Sequence, residues 1–228
     1  MIKSATIDIS EQGVLITQVE DSGAYITKNV DIQSLRETIA EDLSLSTGLL
    51  PLGVRMYRRQ GQYEYVVMEV PPALREVHYT RSNKKHTFKI PLPWTLWFFK
   101  LRNEGNQKNL AWSNVYAMKG PIVSEKITNV YTFPMSNTDG YICWGNQRLP
   151  SWKNLLGLAS VPDIFFAAPF NSDLDYPDKY TEFKNEHGDW ISGTFALFEE
   201  IDGTDVFPDE ILTGAHTLEE ALRYFFEH

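Results

Sequence analysis

Between Val54 and Tyr131 the chain is a succession of strand-length runs, rich in β-branched and aromatic residues and separated by short turn-forming clusters. Val54 to Arg58, Tyr63 to Val70, Arg75 to Thr80 and His86 to Ile90 are divided by Gln60-Gly61-Gln62, Pro71-Pro72 and Ser82-Asn83-Lys84-Lys85. Trp94 to Leu101 and Leu110 to Met118 follow, joined across Asn103-Glu104-Gly105-Asn106. The stretch Trp94-Thr95-Leu96-Trp97-Phe98-Phe99 is nearly continuous in apolar residues, as a strand covered on both faces would be. This spacing predicts a β-meander at the centre of the protein.

The flanks read differently. Ala5 to Ile9, Val14 to Thr17 and Ala24 to Thr27 alternate in short runs between glycine and acidic turn residues, which predicts a small antiparallel meander over residues 1–30. Asp31 stands as an N-cap ahead of Leu35, Ile39 and Leu43, and Gly48 with Pro51 closes the segment, so a helix is expected over Ile32 to Ser46. After Pro134 the pattern turns to loops and helices: Trp152 to Leu158, the Pro-bounded Ile164-Phe165-Phe166, Asp189 to Phe198, and a terminal helix from Leu218. Thr217 with Glu220 makes a capping box for the last of these. No repeat, low-complexity tract or flexible linker interrupts the chain. The expected architecture is α+β: one compact domain over residues 31–228 with a β-rich N-terminal extension over 1–30.

With 21 Lys+Arg against 30 Asp+Glu, the formal charge of the 228 residues is −9. That argues against nucleic acid as the main partner. At 43% hydrophobic, the chain can bury a sizeable core. Its longest apolar stretches fall far short of the roughly 20 residues that span a bilayer. Met-Ile-Lys-Ser-Ala-Thr is not a signal-peptide pattern, so a cytoplasmic location without a membrane partner is expected. The absence of Gly-x-Gly-x-x-Gly, a Walker lysine motif and His-Glu-x-x-His leaves no expectation of a bound nucleotide, catalytic zinc or other cofactor. The acidic run Asp173-Leu174-Asp175-Tyr176-Pro177-Asp178 lacks the spacing and terminal glutamate of a calcium loop and reads as a solvated loop.

Cys143 is the only cysteine, which excludes an internal disulfide and a multi-cysteine metal site. Such a thiol is buried filler or a nucleophile. It lies in Tyr131-Thr132-Phe133-Pro134-Met135-Ser136-Asn137-Thr138-Asp139-Gly140-Tyr141-Ile142-Cys143-Trp144-Gly145-Asn146, just after a turn and flanked by Gly140 and Gly145. Polar, glycine-rich surroundings expose backbone amides and leave room for a bulky acyl partner, which favours the nucleophile.

Phe133-Pro134-Met135 and Gly140-Tyr141-Ile142-Cys143, with Trp152 downstream, fall without a gap at the spacing of the ubiquitin-conjugating enzyme superfamily, whose active-site flap reads His-Pro-Asn, then Gly-x-Ile-Cys, then a Trp. The chain is most similar to the prokaryotic conjugating-enzyme-like family D, the PRTRC-system protein B type of plasmids and other mobile elements. Gly48-Leu49-Leu50-Pro51, Pro71-Pro72, Ile90-Pro91-Leu92-Pro93-Trp94 and Cys143-Trp144-Gly145 carry that similarity, over about Leu49 to Trp152. The resemblance implies a thioester cycle. Cys143 would take the C-terminal carboxylate of a ubiquitin-like protein from an activating enzyme and yield it to an amine, a task suited to a thiol that is both nucleophile and leaving group. Phe133, Pro134, Gly140, Trp144 and Gly145 would form the flap and partner-binding surface, with Trp144 either core or a cover for the partner's tail.

Two positions depart from that pattern. The flap Asn, which the resemblance makes an oxyanion donor or flap anchor, is Met135, and losing one such donor costs on the order of 10²–10³ in rate. Asn137 or Asn146 is the candidate replacement, each also readable as a plain turn former. The flap His is Phe133. An inactive conjugating-enzyme-like fold, acting as a binding module in a plasmid or phage assembly, is therefore the alternative reading. A thiol hydrolase would need a histidine near Cys143, and His78, His86, His187, His216 and His228 are candidates without a supporting local signature. His78 and His86 fall among Arg75, Arg81, Lys84, Lys85 and Lys89, in what is expected to be a solvated basic hairpin.

Overall fold

The computed structural model describes residues 2–10, 13–31, 48–135, 141–174, 183–184 and 187–227. The chain divides into two compact units, residues 1–47 and 48–228. In the first, β1 (Ile2–Ser10), β2 (Gly13–Glu20) and β3 (Tyr25–Val30) form an antiparallel sheet in that order. Its register runs from Ser10 opposite Gly13 and Val14 opposite Val30, which is the meander expected for this stretch. The helix expected over Ile32 to Ser46 lies outside the described residues.

The second unit is built on a six-stranded sheet. Its central strands are β4 (Val54–Gln60), β5 (Tyr63–Val70), β8 (Trp94–Glu104) and β9 (Gln107–Met118), extended by β10 (Asn129–Thr132) and β14 (His216–Thr217) in the order β14-β10-β9-β8-β5-β4. The sheet is not the unbroken meander expected, because β5 pairs with β8 rather than with the next strand in the chain. The intervening β6 (Ala73–Arg81) and β7 (Lys84–Leu92) form a hairpin that joins β11 (Pro169–Phe170) in a separate three-stranded sheet, order β11-β6-β7. Pro71-Pro72 at one exit and Pro93 at the other cannot donate to a ladder, so the chain leaves the main sheet and re-enters it at these points. Ser82 and Asn83, at φ of 50° and 64°, turn the hairpin with both central residues left-handed, the twist that matches the strands it joins. Two further short strands, β12 (Phe183–Lys184) and β13 (Trp190–Ile191), pair with each other.

The helices are α1 (Val161–Ala167), α2 (Thr194–Ile201) and α3 (Leu218–Glu227). The stretch expected to be helical from Trp152 narrows to a 3₁₀ segment, Leu155–Ser160, leading into α1. The one expected from Asp189 divides into β13 and α2, because Gly193 sits between them at a φ of 89° that no helix continues through. The terminal helix and its capping box are as expected. Thr217 Oγ1 accepts from the Glu220 amide at 3.2 Å, and Glu220 accepts from the Thr217 amide and hydroxyl at 2.9 Å. Those two donors hold the Glu220 carboxyl below its ordinary range.

Alternation along β8 explains why both faces of the sheet are covered. Trp97, Phe99 and Leu101 enter one core with α1 and α2, where the Phe165 ring meets Trp97 edge-on at 5.5 Å. Leu96 and Phe98 enter a second core under α3, where Phe225 meets Phe98 edge-on at 4.9 Å. The hairpin is less solvated than its basic composition suggests. Arg75 pairs with Asp163 and lies over Phe166, and Arg81 lies over Phe195.

The buried Glu64 carboxylate is neutralised by Lys108, whose Nζ donates to its two oxygens at 2.7 and 2.8 Å and to Asn103 Oδ1 at 2.9 Å. Lys108 also holds the chain beyond Cys143: its amide donates to the Trp152 carbonyl at 2.7 Å, and its carbonyl accepts from the Trp152 amide at 3.0 Å. The Trp152 indole in turn rests on Gly157, where an added Cβ would stand 1.8 Å from Trp152 Cδ1.

Two outcomes follow from this arrangement. Lys108→Met leaves Glu64 buried without its cation and should cost about 3–5 kcal/mol in urea unfolding, whereas the double replacement Glu64→Met with Lys108→Met should recover most of that loss. A single variant as stable as the wild type would show that the pair carries no structural weight. Gly157→Ala should push Trp152 off its seat, and hydrogen exchange at the Lys108 and Trp152 amides should quicken about tenfold or more, equivalent to about 1.4 kcal/mol of local stability. Unchanged protection would mean that the indole does not secure this bridge.

Candidate functional site

Cys143 is exposed, in a segment held to β9 at both ends. On its N-terminal side the Ile142 amide donates to the Ser113 carbonyl at 2.9 Å, with the Ile142 side chain buried. On its C-terminal side the segment returns at the Lys108–Trp152 bridge. Between these points the chain turns back on itself. The Gln147 amide donates to the Trp144 carbonyl at 2.9 Å, across Gly145 at a φ of 54° and Asn146. Glycine is favoured at the first central position of such a turn because the left-handed region carries no Cβ penalty there.

Ser113 fixes both neighbours of the thiol. Its carbonyl holds Ile142, and its hydroxyl accepts from the Trp144 indole Nε1 at 3.0 Å. Trp144 is half-buried and meets Phe165 edge-on at 6.0 Å, so one end of its ring is anchored in the core beneath the sheet. The thiol is thus presented on a short backbone segment whose flanking residues cannot swing away. Ser113 was not a candidate from the sequence; its signal is a Ser-Asn pair, Ser113-Asn114, inside the otherwise apolar stretch from Leu110 to Met118, both residues being buried.

A groove of about 120 Å3 opens beside this segment. Leu110, Ala111 and Ser113 of β9 form one wall, and Ile142, Trp144 and Leu149 the other. The shape has a local cause. Lys100 pairs with Trp112 and Leu101 with Leu110, so Ala111 is an extra residue that bulges β9 at this point.

The remaining expected site residues separate into three groups. Phe133, Pro134 and Met135 are buried; Phe133 and Met135 belong to the main core, with the Phe133 ring 6.0 Å from Phe165. Met135, at the place of the flap amide, is fully buried and packs there as an apolar side chain. Asn146 and Gly145 lie together in the exposed turn just after the thiol. Asn137 and Gly140 fall outside the described residues. The hairpin histidines are engaged elsewhere: His78 Nδ1 lies 3.1 Å from Thr87 Oγ1, and His86 packs edge-on against Phe195 at 5.0 Å. His216 sits in β14, opposite Val130. Among the described residues no group of acidic, histidine or cysteine side chains is placed to hold a metal ion, and no helix is long and apolar enough to cross a membrane.

No curated protein and no solved structure matches the chain at a significant level. A family model does, over residues 39–194, a span that takes in β4 to β9, the Cys143 segment and α1. With an antiparallel sheet backed by helices, and an exposed cysteine on the segment after the flap, the chain belongs to prokaryotic E2 family D and has the conjugating-enzyme-like α+β fold that its sequence resembles.

Proposed function

We propose that the protein is a thioester carrier for a ubiquitin-like modifier in a bacterial or mobile-element conjugation system, with Cys143 as the acyl acceptor. The observation that carries this reading is the presentation of the thiol. It is exposed and bracketed by Ile142 and Trp144 on Ser113, and both of those neighbours line a groove of about 120 Å3. In the forward step the Cys143 thiolate attacks the modifier's activated C-terminal carbonyl, a bond from Sγ to carbon forms, and the activating group departs. An amine then displaces the thiolate. ATP belongs to the activating enzyme, and the carrier needs no cofactor of its own.

Oxyanion stabilisation in this reading falls to backbone amides and to Asn146 or Asn137, since Met135 is committed to the core. The same observation favours a second reading, in which the fold has lost its chemistry and serves as a protein-binding module of such a system.

Intact mass, measured on tagged protein isolated from its host without reductant and again after dithiothreitol, separates the two. The carrier yields a protein-sized, thiol-labile adduct on Cys143 that Cys143→Ser abolishes. A Cys143→Ser variant that works normally, or a Cys143 that stays free when neighbouring gene products and ATP are supplied, would leave only the binding module.

A further inference from the structure

One row of the main sheet interrupts the apolar face that α3 covers. Residues directly opposite one another on paired strands share a face. The pairings of Arg58 with Tyr65, Tyr65 with Lys100 and Lys100 with Trp112 therefore set those four side chains side by side across β4, β5, β8 and β9. Two residues back along β8, Phe98 is fully buried under α3, and Lys100 puts a cation in the next place on the same face. Its ammonium lies over the Tyr63 ring at 4.9 Å and the Tyr65 ring at 5.5 Å. A cation held against rings gives up part of its water, and an anion pairs with it more strongly for that reason.

The last turn of α3 packs over one end of this row. Phe225 stacks on Trp112 at 5.4 Å and meets Tyr65 edge-on at 5.3 Å, so the helix end and the indole fix each other. Beside them opens a cavity of about 340 Å3, lined by Tyr63, Lys100, Ala111, Trp112, Tyr224 and Phe225. Ala111, the extra residue of the β9 bulge, has no bulky side chain to fill it. Tyr224 is 52% exposed, so the cavity opens to solvent on that side. Its volume is at the lower end of the roughly 300–1,000 Å3 of small-molecule sites, and its lining has their usual make-up of apolar walls with a placed charge.

We infer that this cavity is a binding site for a small planar aromatic carboxylate, with its ring against the aromatic walls and its carboxylate at Lys100 Nζ. Tyr63, Trp112, Tyr224 and Phe225 favour a flat ring over a flexible aliphatic group. Among the described residues that line the cavity Lys100 alone is charged, which selects an anion in a chain whose formal charge is −9. One ammonium, with three donors, matches a carboxylate; a phosphate group, at close to two charges, calls for more donors than a single lysine supplies. Ala111 and Trp112 also line the groove beside Ile142 and Trp144, so the two spaces meet at the bulge. Cys143 lines neither, and binding here does not require the thiol.

Titration calorimetry on the whole protein with indole-3-propionate, tryptamine and 3-cyclohexylpropionate tests the assignment. Indole-3-propionate should bind once per chain with a Kd of about 1 mM or tighter, as a ligand of that size reaches at modest efficiency. Tryptamine, with the same ring and the opposite charge, and the cyclohexyl acid, with the same charge and no aromatic ring, should each bind about tenfold more weakly. Lys100→Met should weaken indole-3-propionate about tenfold and remove its advantage over tryptamine. Tyr224→Ala, at a half-exposed position that leaves the core intact, should weaken it about threefold or more. Cys143→Ser should bind as the wild type does. No saturable binding, tryptamine or the cyclohexyl acid bound as tightly as indole-3-propionate, or unchanged affinity in either cavity variant would overturn the site. Weaker binding by Cys143→Ser would place the ligand in the groove beside the thiol and overturn it as well.

Discussion

Everything in the larger unit hangs on the alternation of side chains along β8. A strand sends successive residues to opposite faces, so a run as apolar as Trp94 to Leu101 must be covered twice. The fold meets this with α1 and α2 over Trp97 and Phe99, and α3 over Leu96 and Phe98. Each of these side chains contributes about 1.5–3 kcal/mol by leaving water. Both faces of β8 are thus covered, and Cys143 lies on a segment held to the edge of β9.

The upper part of β9 is paired by β10, but from Ser113 back to Lys108 its outer side is met, among the described residues, only by the chain around the thiol, and only at the two ends. Two attachments separated by a bulge leave a segment that is fixed in position yet open at its middle. The thiol is thereby held in place without being enclosed, because the backbone on either side of it is tied to β9.

The segment that precedes the thiol begins in the core. Phe133 and Met135 lie in the main core with Phe165 and Phe166, where polar side chains would have no water and few partners. An apolar residue at 135 is therefore accommodated by packing, and in the proposed reading the oxyanion donors are backbone amides and Asn146 or Asn137.

Strands, turns and the capped terminal helix were legible in the sequence, because each rests on local periodicity or on residues that favour one backbone conformation: Ser82-Asn83, Gly105 and the Thr217–Glu220 pair. The exposure of the lone thiol was legible too, from its glycine-rich neighbourhood. Tertiary structure alone decided that β6 and β7 leave the main sheet, since strand pairing depends on which partners meet and not on the propensity of either strand. It also decided that Ser113 grips both neighbours of Cys143 and that Lys108 joins Glu64 to Trp152. Those contacts span 29 to 44 residues of chain, as from Ser113 to Ile142 or from Glu64 to Lys108. No local pattern encodes them, because they exist only once the sheet has brought distant segments to the same edge.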